Sequence, residues 1–245
     1  MKRFKTDLHI HSCLSPCGDL DMSPSGIVKK SLEVGLNIIA ICDHNSAENT
    51  GAAIRAGKSQ GLVVLPGLEV TSREEVHVLA IFDREEQAIS MQELVYKDFK
   101  GTNRPEIFGD QVVANEFDEV EGFNDRMLIG ASQLALENIV KEIHGLGGLC
   151  VASHVDKPSF SIFSQLGFIP NNLELDALEI SGTSDRESVH QKLPGALKYP
   201  LVTFSDAHFL EGIGTRYTIF SLAAPNVEEI RLALAGELGR EVKIS

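Results

Sequence analysis

The chain has 245 residues, 43% hydrophobic and 23% charged, a length that can bury a sizeable core without disulfides or a structural metal to hold it. Lys plus Arg number 22 against 35 Asp plus Glu, a formal charge of -13, which argues against a broad nucleic-acid footprint because such a surface needs a basic stripe. A small anionic substrate then needs local positive charge, for which bound metal ions are the obvious source. From the N-terminus, the pattern predicts a strand at 5–10, a helix at 24–34 opening on Ser23-Pro24, a strand at 37–42, a helix at 46–60 and a strand at 62–68. A strand at 76–82 and a helix at 86–99 follow. The stretch 100–132 then breaks the rhythm: it is acidic, carries Phe108, Phe117 and Phe123, and suggests a hairpin of 110–117 with 122–129. Beyond it come a helix at 133–145, strands at 149–153 and 175–181, a helix at 186–198, a strand at 200–204 and a helix at 226–236.

Pro24 in a first helical turn and Gly35, Gly61 and Gly145 after helices are the expected punctuation. Strands alternating with helices imply a parallel α/β sheet, open or barrel, in a single domain 1–245 with an insertion at about 84–132. No apolar run approaches the ~18 residues that span a bilayer, and basic Met1 to Thr6 leads into a polar motif rather than a signal peptide. Of the four cysteines, Cys42 and Cys150 sit in apolar runs as small buried hydrophobes, and Cys13 and Cys17 make no C-x-x-C pair. The set reads as reduced, and the protein as cytoplasmic.

Ionisable residues collect at strand ends. His9 and His11 close the first strand, Asp43 and His44 the second, Glu69 the third, His154 the run 149–153, and Asp206 and His208 the run 200–204. Carboxyl ends of parallel strands converge on one face, where α/β barrels keep their chemistry. His77 opens its strand instead; the short turn Ser72-Arg73-Glu74-Glu75 would return that strand antiparallel and bring His77 beside Glu69. His9 and His11, two apart on a strand, can grip one ion.

The segments Asp7-Leu8-His9-Ile10-His11-Ser12, Cys42-Asp43-His44-Asn45, Gly67-Leu68-Glu69-Val70-Thr71, Val76-His77-Val78-Leu79, Ser153-His154 and Ser205-Asp206-Ala207-His208 follow one another in a set order. That order resembles the polymerase and histidinol phosphatase (PHP) family, from residue 7 to residue 208. The resemblance implies a distorted (β/α)7-type barrel and a trinuclear site of zinc, manganese or iron. By the same resemblance His9, His11, Glu69 and Asp206 hold one ion, and Glu69, His77 and His154 a second. Asp19, His44 and His208 would hold the third, with Glu69, Asp206 and His208 the catalytic residues. The loop after His11 is longer than the family's usual spacing. Asp19 is chosen because it lies five residues before Pro24, as the family's loop acid does before its Pro, and Asp21 and Cys17 stay open as ligands. Imidazoles with carboxylates suit zinc, manganese or iron rather than calcium or magnesium.

Asp43 is expected to support a histidine rather than bind metal. Lys157 and Arg216 are the candidate phosphate contacts, while Arg73, His144 and His190 are read as surface or packing residues. The expected reaction is hydrolysis of a phosphate ester by metal-bound hydroxide, on a nucleotide or the 5' end of a short single-stranded oligonucleotide. Standing alone, the chain is expected to carry no fused polymerase. Three alternatives belong beside it: a histidinol-phosphate-type phosphatase, an amidohydrolase-like C–N hydrolase, and a non-catalytic metal-binding protein.

Overall fold

The computed structural model describes residues 1–181, 189, 191, 193 and 195–244. Its strands in chain order are β1 (Lys2–Ile10), β2 (Ile38–Ile41), β3 (Val63–Thr71), β4 (His77–Ile81), β5 (Val112–Ala114), β6 (Val120–Phe123), β7 (Leu149–Ala152), β8 (Ala177–Glu179), β9 (Leu201–Val202), β10 (Thr218–Leu222) and β11 (Glu241–Ile244). Among the described residues one sheet runs β11-β10-β1-β2-β3-β4-β7-β8-β9, and β5 pairs with β6 alone. The pairs β1–β2, β2–β3, β7–β8 and β8–β9 are parallel. Strand β4 is antiparallel to both neighbours, the reversal expected from the turn before His77.

The sheet curls until its ends nearly meet. Beyond β9, the His11 N–H donates to the Ala207 carbonyl at 3.0 Å and the Ala207 N–H to the His9 carbonyl at 3.3 Å, a parallel bridge between Ile10 and Ala207. Strands β1, β2, β3, β4, β7, β8 and β9 therefore form the barrel. Strands β10 and β11 extend it from β1, antiparallel. Neither was expected. Thr218–Leu222 is short, and Glu241–Ile244 is charged and half-exposed, so only pairing with β1 and then with each other makes strands of them.

The interior is filled by alternate residues, as a pleated strand requires. Ile38, Ala40 and Cys42 of the second strand, Leu65, Leu79, Leu149, Val151, Ala177, Val202 and Phe204 share one buried cluster. Their neighbours Ile39 and Ile41 face the opposite way, against helices α1 (Pro24–Glu33) and α2 (Thr50–Gln60). Phe220, Leu222 and the helix at Val227–Ala235 belong to the interior cluster. That helix binds the lower end of the barrel, where the Val227 N–H donates to Asp83 at 2.8 Å and Arg231 to the Gly148 carbonyl at 2.8 Å.

Helix α3 (Glu85–Tyr96) packs Ala88, Met91 and Val95 into the large core cluster beside α5 (Leu136–Gly145). The segment outside the barrel is 97–132, with the short α4 (Pro105–Phe108) and a hairpin tighter than the expected 110–117 with 122–129. Helix α2 starts at Thr50 rather than 46, because Ser46 and the Ala47 N–H are bonded to Gln92 and Asn49 reaches Ser12 and the Val112 carbonyl. A five-residue α6 (Ile162–Leu166) precedes β8, and the helix at Val227–Ala235 is α7. The helix expected at 186–198, with His190, falls largely outside the described residues. Among the described residues no helix is long and apolar enough to cross a membrane.

Candidate metal centre

The inward register of each strand, carried two residues past its last apolar plug, delivers a polar side chain to the barrel mouth. Cys42 leads to His44, Gly67 to Glu69, Ala177 to Glu179 and Phe204 to Asp206, while on reversed β4 Leu79 leads back to His77. Strand β1 needs a correction to this register. Leu8 packs inside and Ile10 outside, although both have the same parity, and the pairing with β2 shifts between Asp7 and Ile10. A bulge there re-aims the strand so that His9 and His11 both turn into the mouth.

There the side chains crowd. His9 Nε2 lies 3.1 Å from His11 Nε2, 3.4 Å from Glu69 Oε1 and 3.4 Å from Asp206 Oδ1. His77 Nδ1 and His154 Nε2 stand 3.1 and 3.4 Å from Glu69 Oε1, and His44 Nδ1 stands 3.1 Å from Glu69 Oε2. His11 Nε2 is 3.3 Å from Asp206 Oδ1, and the His11 ring stacks on His208 at 4.2 Å. Ligand atoms group as His9, His11 and Asp206; as His44, Glu69 and His77; and as His11, His44 and His208. Glu69 is 1% exposed and reaches His9, His11, His44, His77 and His154, a central position.

Such packing fits cations. Atoms about 2.0–2.1 Å from a tetrahedral zinc lie about 3.3 Å apart, close to the separations here. Two imidazole nitrogens facing each other at 3.1 Å can share at most one proton, and His44 Nδ1, Glu69 Oε1, His77 Nδ1 and His154 Nδ1 are buried without a satisfying hydrogen bond. Burial alone would raise the Glu69 and Asp206 carboxyls, yet His77 and His9 beside Glu69, and His9 and His11 beside Asp206, hold both well below the usual range. Burial likewise disfavours a charged His9, but Glu179, Asp206 and Glu69 outweigh it and push its pKa up.

Backbone strain marks the same residues. His154 and Asp206 have φ of 29° and 50°, and Asn45, next to His44, has 54°. Each left-handed non-glycine residue costs on the order of 1–3 kcal/mol, held here where the chain must leave its strand while the side chain stays aimed inward.

Outside the cluster, supports orient the rings. Glu179, 1% exposed, accepts from His9 Nδ1 at 2.9 Å and from the His154 N–H at 3.1 Å. It went unnoticed in the sequence, although it ends a parallel strand as the other acids do. Asp43 accepts from Ser12 and from the Ser15 hydroxyl at 2.7 Å, and Ser15 Oγ meets His11 Nδ1 at 2.9 Å, so Asp43 supports a histidine through a serine. Asp7 accepts the Ser205 and Gly214 N–H groups, and burial pushes its pKa up to about 6.

Lys157 Nζ pairs with Asp206 Oδ2 at 2.5 Å, between a cavity of about 180 Å3 over the cluster and a neighbouring one of about 400 Å3. The first is walled by Ile129 of the outer segment and by Phe160, whose ring stacks on His77 at 4.7 Å. Arg216 is exposed and lines neither cavity, and Arg73 is exposed beside Glu74. His144 pairs with Asp176, away from the cluster. Asp19 is exposed; its N–H donates to the His208 carbonyl at 2.8 Å, but its carboxylate accepts the Asp21 N–H at 3.1 Å. Cys17, on the same loop and also exposed, has its pKa brought down to about 7 by the nearby His208 and His44 imidazoles, which outweigh its burial.

Residues 7–172 match the family model described as the PHP domain. A 5'-3' exoribonuclease of Haemophilus influenzae is 32% identical over 84 residues, 33% of this chain and 30% of that one. The lesion-specific endonuclease PfuEndoQ of Pyrococcus furiosus superposes over 98% of this chain and 58% of its own, with a TM-score of 0.71 and 20% identity. An amidohydrolase from Chromobacterium violaceum shares the fold at a TM-score of 0.56 and 17% identity, over 85% and 89% of the two chains. The chain thus spans under a third of the exoribonuclease's length and 58% of the endonuclease's.

Proposed function

Since the chain belongs to the PHP domain family, we propose that it is a metal-dependent phosphoesterase acting on a nucleotide or on the 5' end of a short oligonucleotide. The observation that carries this reading is Glu69, buried among five imidazoles at 3.1–3.6 Å beside a second ionised carboxylate, Asp206. His9, His11, Glu69 and Asp206 would hold one divalent ion, Glu69, His77 and His154 a second, and His44 and His208 with a loop ligand a third. Such ions, when bound, supply Lewis acidity and lower the pKa of water.

The chain's own groups do the rest. Asp206 stands between the buried cluster and both cavities, where it can take a proton from attacking water. Lys157, paired with Asp206 before substrate arrives, can turn to a phosphoryl oxygen in either cavity. Glu179, Ser15 and Asp43 keep the His9 and His11 rings oriented. Phe160, 39% exposed, offers its free face to a nucleobase, and the acidic surface disfavours long duplexes, so the reading favours nucleotides over histidinol phosphate.

The test is release of phosphate from a nucleoside 3',5'-bisphosphate and histidinol phosphate, and of phosphate or mononucleotide from a 5'-phosphorylated oligonucleotide, each with manganese, zinc and iron. An amide substrate serves as the C–N comparison. Turnover of one of the first two is expected, and Glu69→Gln should reduce it by roughly a hundredfold or more with loss of bound metal. Absence of both phosphate and mononucleotide release with every metal, or a Glu69→Gln protein as active as the parent, would sink the reading.

A further inference from the structure

We propose that the outer face of the sheet formed by β1, β10 and β11 is a docking surface for the backbone of a single-stranded nucleic acid whose 5' end reaches the metal centre. The inference rests on the nucleotide reading above for the class of ligand and adds a surface remote from the site.

Strand register puts the cations there. Lys5 lies opposite Ile219 and Ile219 opposite Lys243, while Arg3 lies opposite Ser221 and Ser221 opposite Glu241. Residues directly opposite one another share a face, as do residues two apart on one strand. Phe4, Phe220 and Val242, of the other parity, join the interior cluster, so Arg3, Lys5, Ile219, Ser221, Glu241 and Lys243 face outward. Three of these six are cations and one is an acid, in a chain whose formal charge is -13. Arg3 and Lys243 are exposed and flank a depression of about 290 Å3.

The face leads toward the barrel mouth. Asp7, next outward on β1, is buried and accepts the Gly214 N–H at 2.9 Å, so the segment 209–217 crosses the strand at that point. This segment joins His208 to β10, and it exposes Phe209 at one end and Arg216 near the other. Beside Arg216, the Tyr217 ring lies 4.2 Å from Lys5 Nζ, which also donates to the Val34 carbonyl at 2.8 Å. Arg3 stands six residues before His9 on one strand, roughly 20 Å at about 3.3 Å per residue, a span for several nucleotides. Cations that track a backbone, with an exposed aromatic ring for a base, are the means by which proteins hold single strands without reading their sequence. A duplex needs a broader basic surface than this strip.

Binding is read by fluorescence anisotropy of a 3'-labelled, 5'-phosphorylated single-stranded 12-mer in EDTA, over a range of salt. The proteins are wild type, Arg3→Gln/Lys243→Gln, and the control Lys58→Gln/Lys141→Gln, which removes the same charge from exposed positions on α2 and α5. Circular dichroism confirms that each is folded. Wild type and the control are expected to bind alike, and the Arg3/Lys243 variant about tenfold or more weakly. Its slope of log affinity on log salt should be shallower by about 1.4, at about 0.7 per phosphate contact on a single strand. With metal added, its KM should rise for the 12-mer and stay within about twofold of wild type for a nucleoside 3',5'-bisphosphate. No binding by wild type, equal binding by the variant and the control, an unchanged KM for the 12-mer, or displacement of the 12-mer by polyglutamate as effectively as by unlabelled 12-mer overturns the assignment. The expected binding pattern without turnover of any phosphate ester leaves the surface standing and removes the phosphoesterase reading instead.

Discussion

Lys157 shows how little a single residue says until its neighbours are known. In the sequence it is a lysine three positions after His154; in the fold its ammonium sits 2.5 Å from the carboxylate that also faces His9 and His11. Burial disfavours its charged form, but Asp206 outweighs this and raises the pKa, so it stays a cation where phosphate would lie. Lys157→Ala should raise KM for a phosphate ester roughly tenfold to a hundredfold, the range of a charge-assisted hydrogen bond worth about 1.5–3 kcal/mol, with metal content unchanged. Steady-state kinetics beside metal analysis checks this, and an unaltered KM would return Lys157 to an ordinary surface charge. The histidines His9, His11, His44, His77, His154 and His208 and the acids Glu69 and Asp206 could all be picked out from their motifs. Glu179 could have been found by the same strand-end rule. Among Asp19, Asp21 and Cys17 the loop gives no such guide, because a loop's sequence carries no periodicity to say which side chain turns inward.

At the level of elements, the long apolar runs read well and the short or charged strands did not. Strand β10 is the instructive miss: Phe220 is fully buried, yet its five residues become a strand only because β1 offers an open edge. Phe220→Ala should therefore destabilise the protein by about 3–5 kcal/mol in urea unfolding. Phe117→Ala, on the outer segment and 75% exposed, should stay within about 0.5 kcal/mol. A small loss at Phe220 would mean that β10 is a loose appendage. The outer segment is tied to the site through Asn45, whose amide donates to the Leu128 and Gly130 carbonyls on either side of Ile129. Helix α3 packs its apolar stripe of Ala88, Met91 and Val95 into the core.

Across the whole molecule, the end of the barrel away from the metal centre has its own electrostatic clasp. Asp176, just before β8, accepts from His144 on α5 at 2.9 Å, from the Cys150 N–H on β7 at 2.8 Å and from Arg231 on α7 at 3.2 Å. Burial would raise its carboxyl, but these partners prevail and hold it below the ordinary 3.8. A group depressed on folding contributes stability above its unfolded pKa and loses it as pH falls through the folded one. Wild type should thus exceed Asp176→Asn by about 1–3 kcal/mol near pH 6, and the gap should close as pH falls below about 4. Urea unfolding of both proteins across that interval measures it; a gap independent of pH would show that packing, not charge, is lost.

The amino-acid order alone determined the alternation of strands and helices, the reversal of the strand that opens on His77, and the imidazoles and carboxylates at the strand ends. Those features are local, governed by side-chain period, turn chemistry and strand direction. Only the tertiary structure decided the closure of β9 onto β1, the recruitment of β10 and β11, and the bulge that turns His9 and His11 inward. Each of these depends on which distant backbone groups find partners, and a short segment settles its conformation only when that partner is present.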